Sequence, residues 1–568
     1  MTRKIHIAVA LSVLLTACSF AADGGVTVLN QCTDDTDCPG ARCDRAMAMC
    51  VARMPATFRV ALQVAAPAVG ASGTPGLVAS EPFDLTGSTE RTMQFPRSVT
   101  AFGKVRGPAG ERVAAEITFV APAAFPGGRV VRFTSATAPS PYTLTQFGSI
   151  EADYQVQVPA GIYGVDVQPA GDFAGTLPPL HFDGVSFDPS ADGASFNLSY
   201  DASQLTELRG VVEAPGGAGR GGLQIQALDR ASGRVVSSSA VTSDGTMGTP
   251  AGSFSILVDV GALESYVLRI RSVAGEALVP TFTVDPGYLF PDMGGVAHIL
   301  VPDVASPVCY RGAVELDLPD HMRALASNTV LSFRSTVIID PATGVVGTVQ
   351  ATVTADAGGH FEASLLPGTY DIVLTPVGRA DAAVLAPDPV TISPPMGTDC
   401  LMGQTFVLPQ RATLGGQVRT ADGRTMVGAT VQAIALNREA TARTFAGGRF
   451  NRSSEAVTDA TGRFGLRLDL GSYDIVVKPP IDSGFPWAVA TGQEYGAVGA
   501  VLARDFEFGA PVALGGTVLD DDGMPVVAAE VSAFGILTDA AGASRSVPIG
   551  RGVTDATGRY TVLLPPSL

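Results

Sequence analysis

Cysteine is the residue in this chain with the clearest chemical potential. Seven cysteines occur, at positions 18, 32, 38, 43, 50, 309 and 400. Four fall in QCTDDTDCPGARCDRAMAMC, with the spacing C-x5-C-x4-C-x6-C. Such a cluster makes either two disulfides or a zinc site. The Cys-x-x-Cys knuckle of a zinc site is missing and no histidine lies nearby. A module this small buries too little apolar surface to fold unaided, so Cys32, Cys38, Cys43 and Cys50 are read as two disulfides with three pairings open. Cys309 and Cys400 remain as a candidate pair, which would close a loop of about 90 residues and add up to a few kcal/mol. Asp34, Asp35 and Asp37 lack the glycine and distant glutamate of a calcium loop and read as a solvated acidic turn. No metal is expected.

The remaining chemistry is sparse. Beyond His6, the histidines are His181, His298, His321 and His360, scattered over four segments. No Gly-x-Ser-x-Gly elbow, Ser-x-x-Lys or His-Glu-x-x-His occurs, so no catalytic residue is assigned. Gly217-Ala218-Gly219-Arg220-Gly221-Gly222 matches G-x-G-x-x-G, but that fingerprint grips phosphate only when a helix follows. Here the alternating run Leu223-Gln224-Ile225-Gln226-Ala227-Leu228 follows, so the glycines read as a hairpin loop and no cofactor is expected. Asp520-Asp521-Asp522-Gly523 reads as a β-turn. Trp487, the single tryptophan, could stack on a sugar, but packing at a domain junction is the stronger reading.

The elements that position these residues follow from composition. The chain has 568 residues, too many for one hydrophobic core. Hydrophobic residues make up 46% and charged residues 16%, which excludes a wholly disordered chain. Gly 65 and Pro 40 exceed ordinary usage and suit many short strands joined by turns. The net charge of −17, with no basic domain, argues against a nucleic-acid partner.

Two anchors recur with one period. A strand glycine appears at Gly103, Gly210, Gly312, Gly416 and Gly516, with spacings of 107, 102, 104 and 100. A tyrosine strand begins at Tyr163, Tyr266, Tyr370 and Tyr473, with spacings of 103, 104 and 103. Each period is domain-sized. Within it apolar residues alternate at the strand period, and Asp-Gly and Thr-Gly dipeptides mark hairpins. The fourth unit shows this best, from Leu414-Gly415-Gly416-Gln417-Val418 through Val457-Thr458-Asp459-Ala460-Thr461-Gly462-Arg463-Phe464 to Tyr473-Asp474-Ile475-Val476-Val477.

The order Gly-x-Val, Asp-Gly, Ala-x-Val, Thr-Asp-x-x-Gly-x-Phe, Gly-x-Tyr-x-Val resembles carboxypeptidase regulatory-like domains of the prealbumin-like type. The resemblance covers about half the chain, well in units three to five and loosely in one and two. It implies an all-β chain of tandem Greek-key β-sandwiches with about seven strands each, and a generally non-catalytic family. A related fold class forms Lys–Asn isopeptide bonds. Lys104 sits on a first strand, but unit one is read as holding no asparagine, and Lys478, with Asn437 and Asn451 in its unit, lies on the last strand, the wrong one, so crosslinking is not expected.

The N-terminus reads MTRKIHIAVALSVLLTAC: Arg3 and Lys4, an apolar run from Ile5 to Leu15, then Leu15-Thr16-Ala17-Cys18. This resembles the lipobox of bacterial lipoproteins and implies a lipid on Cys18. No later segment has 18 or more uninterrupted apolar residues, so the expected membrane contact is that lipid. The expected division is a signal peptide at 1–17, a lipidated tether with the cysteine-rich module at 18–55 and lead-in strands at 56–97. Repeats then occupy 98–194, 195–297, 298–404, 405–504 and 505–568.

The ends do not match. A fifth tyrosine would fall one period past Tyr473, beyond Leu568, while Phe58-Arg59-Val60-Ala61-Leu62 lies 105 residues before Tyr163. Either the fifth unit lacks its closing strand or the units are phased differently. The first reading is favoured, as a truncation, although a missing strand exposes an edge. The functional expectation is a non-enzymatic, lipid-anchored envelope protein at the outer membrane or cell surface. It would be a stalk or array binding a surface protein or glycan. The alternatives are accessory domains of a larger exported enzyme, or a carbohydrate-binding array.

Overall fold

The computed structural model describes residues 31–38, 41–45, 47–52, 58–66, 76–85, 89–214, 216–246, 248–259, 266–273, 279–284, 296–300, 307–318, 322–340, 345–393, 400–436, 452–481, 483–495, 501–539 and 542–568. The leader, Cys18, His321, Asn437 and Asn451 lie outside them. Regular structure among the described residues is strand, interrupted by single 3-10 turns. The chain is an all-β tandem of Greek-key sandwiches behind a small disulfide-bonded hairpin (Arg42–Asp44 with Met49–Val51).

Unit four defines the pattern. Its strands are Ala412–Thr420, Thr430–Ala435, Ser454–Val457, Arg463–Leu468, Gly471–Lys478 and Ala488–Tyr495, with a broken seventh strand at Val501–Ala503 and Phe506–Phe508. They form two sheets, ordered fourth-first-seventh and third-second-fifth-sixth. The seventh runs parallel to the first; the other pairs are antiparallel. Alternation drives the packing: Phe464, Leu466 and Leu468 point into the core while Arg463 and Arg467 stay in water. Units one, two and three repeat the same sheet orders.

The recurrent glycine has a steric cause. At Gly416 a Cβ would sit inside the van der Waals shell of the Arg504 carbonyl, where the seventh strand crosses the first. Gly103 meets Phe196 O in the same way, while at Gly210 and Gly312 a core ring (Phe254, Phe361) and the crossing carbonyl (Ala297 O, Gln404 O) together fill the space. The seventh strand therefore continues past this crossing. It reaches Leu198–Ser199 in unit one, Ala297–Leu300 in unit two, Leu401–Leu408 in unit three and Phe506–Phe508 in unit four.

The fifth unit corrects the expectation of a missing strand. Val512–Leu519, Glu530–Thr538, Ser544–Val553 and Arg559–Leu564 are its first four strands. The place of the fifth is taken by Arg59–Ala65, antiparallel to Glu530–Thr538 with Leu62 opposite Ala533. Leu77–Ala79 and Phe83–Asp84 pair with Arg59–Ala65 as a split sixth strand. Thr89–Gln94 runs parallel to Val512–Leu519 as the seventh. The segment expected to be a lead-in at 56–97 thus completes a sandwich more than 400 residues away. Gly516 meets the Arg91 carbonyl as Gly416 meets that of Arg504. Val60, Leu62, Val64, Phe83, Leu85, Met93 and Phe95 make up about a third of the shared core.

Val60, not Phe58, occupies the tyrosine place. Tyr473 pairs with Ala435, and Val60 pairs with Gly535, the residue one period after Ala435. The physical reason is the turn. In units one, three and four the tyrosine hydroxyl donates to a carbonyl four residues upstream and ties the fourth-to-fifth connection. Tyr163 reaches Pro159 O at 2.7 Å, Tyr370 reaches Leu366 O at 2.8 Å, and Tyr473 reaches Asp469 O at 3.1 Å. In unit five the fifth strand arrives from the other end of the sequence, so no such connection exists to tie.

This arrangement closes a circuit. The chain runs from unit five through units one to four and returns to unit five. At each junction the fifth-to-sixth side of one unit meets the third-strand side of the next. Ser239 N–H donates to Gly175 O between units one and two (2.8 Å). Thr281–Val284 pairs with Val345–Thr354 between units two and three, merging their sheets into one of eight strands. Arg452 donates to Pro376 O between three and four (3.2 Å), and Arg545 to Asp474 between four and five (3.0 Å). Phe125 of unit one packs on Ala61 and Ile536 of unit five. A head-to-tail contact that returns on itself gives a closed ring.

Candidate functional site

The motif residues with the most chemical promise are held by the fold. In Thr458-Asp459-Ala460-Thr461-Gly462, the Thr458 hydroxyl donates to Met426 O (2.7 Å) and accepts from Ala429 N–H (2.8 Å). It clamps the start of the second strand to the end of the third. Thr554 does the same in unit five, donating to Val526 O (2.6 Å) and accepting from Ala529 N–H (2.8 Å). Thr242 accepts from Leu223 N–H (2.9 Å) in unit two. Asp459 Oδ1 accepts from Arg463 N–H at 2.9 Å and from the Thr461 N–H and hydroxyl at 2.8 and 2.7 Å, which holds its carboxyl below the usual range. Asp555 is held down likewise by the Thr557 hydroxyl and N–H and by Arg559 N–H. Asp520 Oδ1 accepts from Met524 N–H (2.7 Å) in the expected turn.

All six described cysteines are bonded: Cys32 to Cys43, Cys38 to Cys50, and Cys309 to Cys400. The first two pairs resolve the three possible connectivities of the N-terminal module. That module docks on the link between units four and five, where Ala52 N–H donates to Pro511 O (2.7 Å). Cys309–Cys400 staples the first strand of unit three, Val308–Asp317, to the head of its parallel seventh.

The described histidines, His181, His298 and His360, do not converge. His181, on the outer face of unit one, lies between Asp166 (2.5 Å) and Asp183 (2.8 Å). His298 is 3.4 Å from Glu213 in unit two, and exposed His360 opens the fourth strand of unit three. The run 217–222 is the turn between the first two strands of unit two, where Arg220 N–H donates to Val212 O (2.7 Å). Trp487 is half-buried against the core shared with unit five, with Lys478 Nζ 5.0 Å from its ring centroid.

One premise of the crosslinking expectation is corrected. Unit one does contain an asparagine, because its seventh strand continues past residue 194. Asn197 Oδ1 accepts from Lys104 N–H (2.9 Å) and caps the first strand beside the glycine crossing, as Asp505 caps Gln417 N–H in unit four (2.8 Å). The Lys104 amine is paired elsewhere, with Glu151 at 2.8 Å.

Three buried carboxylates were not singled out from the sequence. Asp153, fully buried, lies between Arg106 and Arg112 inside unit one. Asp469, also buried, accepts from Arg452 and lies 3.3 Å from Arg411. Burial alone would raise both carboxyls, but the arginines and backbone N–H groups outweigh it and hold each below its ordinary value. Asp469 also accepts from Val384 N–H (3.2 Å) across the junction with unit three. Asp474 does comparable work between units four and five through Arg545. A signal existed: Asp474 interrupts the apolar strand Gly471–Lys478, which is buried on both faces.

An open groove of about 630 Å³ lies along unit two. Its third strand is only Ala240–Val241, so the edge between the sheets stays open. Ala240, Val241, Pro250, Phe254 and Val296 make the lining mostly apolar, with Arg209 at the rim.

No known protein family matches the chain, and no curated protein sequence matches it. Among solved structures, a streptococcal ancillary pilin is similar at 13% identity, over 53% of this chain and 99% of that one, with a TM-score of 0.20. The minor pilin of Streptococcus agalactiae is similar at 12% over 36% and 96%, with a TM-score of 0.21. The major pilin of Bacillus cereus is similar at 12% over 54% and 99%, with a TM-score of 0.13. Likeness this slight adds nothing to the fold, which rests on the strand pairings above.

Proposed function

We propose that this chain is a non-enzymatic cell-envelope protein: a closed array of five regulatory-like β-sandwiches, held at a membrane by lipid on Cys18 and presenting its loops to a surface protein or glycan. The observation that carries the reading is the circuit. Motif threonines and aspartates, disulfides and buried ion pairs serve to build five like units and join them head to tail. This favours a compact array over an extended stalk, because both sequence-distant parts of unit five sit in one sandwich. The disulfides suit an oxidising, exported setting.

Labelling cells with palmitate and comparing wild type with Cys18→Ala tests the anchor. Label and membrane-fraction recovery are expected in wild type and lost in the variant. Protease treatment of intact cells then tests surface display. Unlabelled wild-type protein recovered wholly in the soluble fraction would sink the proposal.

A further inference from the structure

The geometry points to unit five as a strand-exchange joint, whose N-terminal strands can be supplied by a second copy of this chain. Three observations carry this. First, no connection joins the fourth strand of unit five, Arg559–Leu564, to its fifth, Arg59–Ala65, so donor and acceptor are separate stretches of sequence. Second, the donor passes into unit one over a short link. Phe95 is buried in unit five with its N–H on Leu519 O (2.9 Å), and the Arg97 carbonyl already accepts from Ala160 N–H of unit one (2.8 Å). Donor and unit one therefore move as one piece, with Pro96 stiffening the step between them.

Third, the junctions are head to tail, so an opened copy presents a donor at one end and an acceptor at the other. Exchange between two copies rebuilds unit five in each with the same ladder, the same Gly516–Arg91 crossing and the same core. It requires one junction per chain to swing. Among the described residues the joint between units one and two is lighter than the next two: Ser239 to Gly175, plus packing of Leu205 and Leu257, against a merged sheet between two and three, and against Arg452 on Pro376 O with Val384 on Asp469 between three and four; Arg545 pairs with Asp474 between four and five. The closed monomer holds its own donor at an effective concentration of about millimolar order, so it dominates when dilute and exchange grows with protein concentration.

Thr92 and Thr517 are register partners, with Thr92 exposed, and they suit a disulfide reporter. Two differently tagged chains, one Thr92→Cys and the other Thr517→Cys, are mixed in denaturant with native disulfides intact. They are then refolded together at rising concentration and oxidised. The crosslinked species carrying both tags should rise at least tenfold from low to high micromolar and exceed like-with-like dimers. A single chain with both substitutions, refolded dilute, should crosslink within itself. The pair Gln94→Cys and Leu519→Cys gives an independent reading. Internal closure of the double variants with no excess of two-tag product at any concentration would overturn the proposal. So would failure of both double variants to close internally.

Discussion

Units four and five have the same sheets, the same crossing glycine, the same threonine clamp and the same aspartate turn. They differ in how the strands are connected. Unit four is made in one pass from Ala412 to Phe508, whereas unit five joins Val512–Leu564 to strands from Arg59–Gln94. This sandwich therefore depends on which faces meet and which carbonyl crosses which glycine, and tolerates a changed strand connectivity. The fourth-to-fifth connection is dispensable, and with it the tyrosine that ties it.

The largest expected effect comes from moving the donor. Deleting residues 58–95 should abolish hydrogen-exchange protection across 512–564 and leave units one to four protected. Re-attaching that segment behind Leu568 through a flexible linker should restore it. A short linker suffices, because Leu568 packs on Gly535, the register partner of Val60. Unit five folding normally in the deletion would break the comparison.

Core truncation comes next. Leu62 and Ile475 face Ala533 and Ala433 in equivalent register, and both are fully buried. Leu62→Ala and Ile475→Ala should each cost about 2–5 kcal/mol in denaturant unfolding. Limited proteolysis should separate them: Leu62→Ala frees the N-terminal segment early, and Ile475→Ala does not.

Acid should act on the junction of unit four with unit three. The Asp469 carboxyl is held below its ordinary value in the folded chain, so its contribution is complete above the unfolded value of about 4 and is lost as pH falls through the folded one. Melting temperature should therefore drop with acid below about pH 4 in wild type. Asp469→Asn, already destabilised by about 3 kcal/mol or more through its unpaired arginines, should show a flatter acid slope. Equal slopes would remove Asp469 from this role.

The tyrosine place gives a smaller contrast. Tyr473→Phe should cost about 1 kcal/mol by losing its bond to Asp469 O. Val60→Tyr should restore nothing and cost about 1–3 kcal/mol by overpacking. A stabilising Val60→Tyr would show that the missing tyrosine has another cause.

The smallest effect is at a turn. Gly428 and Ala528 are equivalent, and both are left-handed, at φ 74° and 58°. Ala528→Gly should stabilise unit five by up to about 1 kcal/mol, and Gly428→Ala should destabilise unit four by a similar amount. Thermal melting of the two variants checks the opposite signs.

The strand period, the hundred-residue rhythm and the even set of six cysteines after Cys18 were legible in the residues alone. Alternating side chains, turn glycines and small disulfide modules are local patterns. The sequence also placed Thr461-Gly462, Asp520 and the 217–222 run in turns, because a turn signals itself within a few residues. It took the folded chain to show that Arg59–Gln94 belongs with Val512–Leu564, that Val60 rather than Phe58 stands at the tyrosine place, that Asn197 lies against Lys104, and that Asp469 and Asp474 seal junctions. Strand pairing across hundreds of residues leaves no mark on either partner beyond an apolar alternation that many neighbours could satisfy. The choice among them is made by the shape of the acceptor and the carbonyl that fits its glycine.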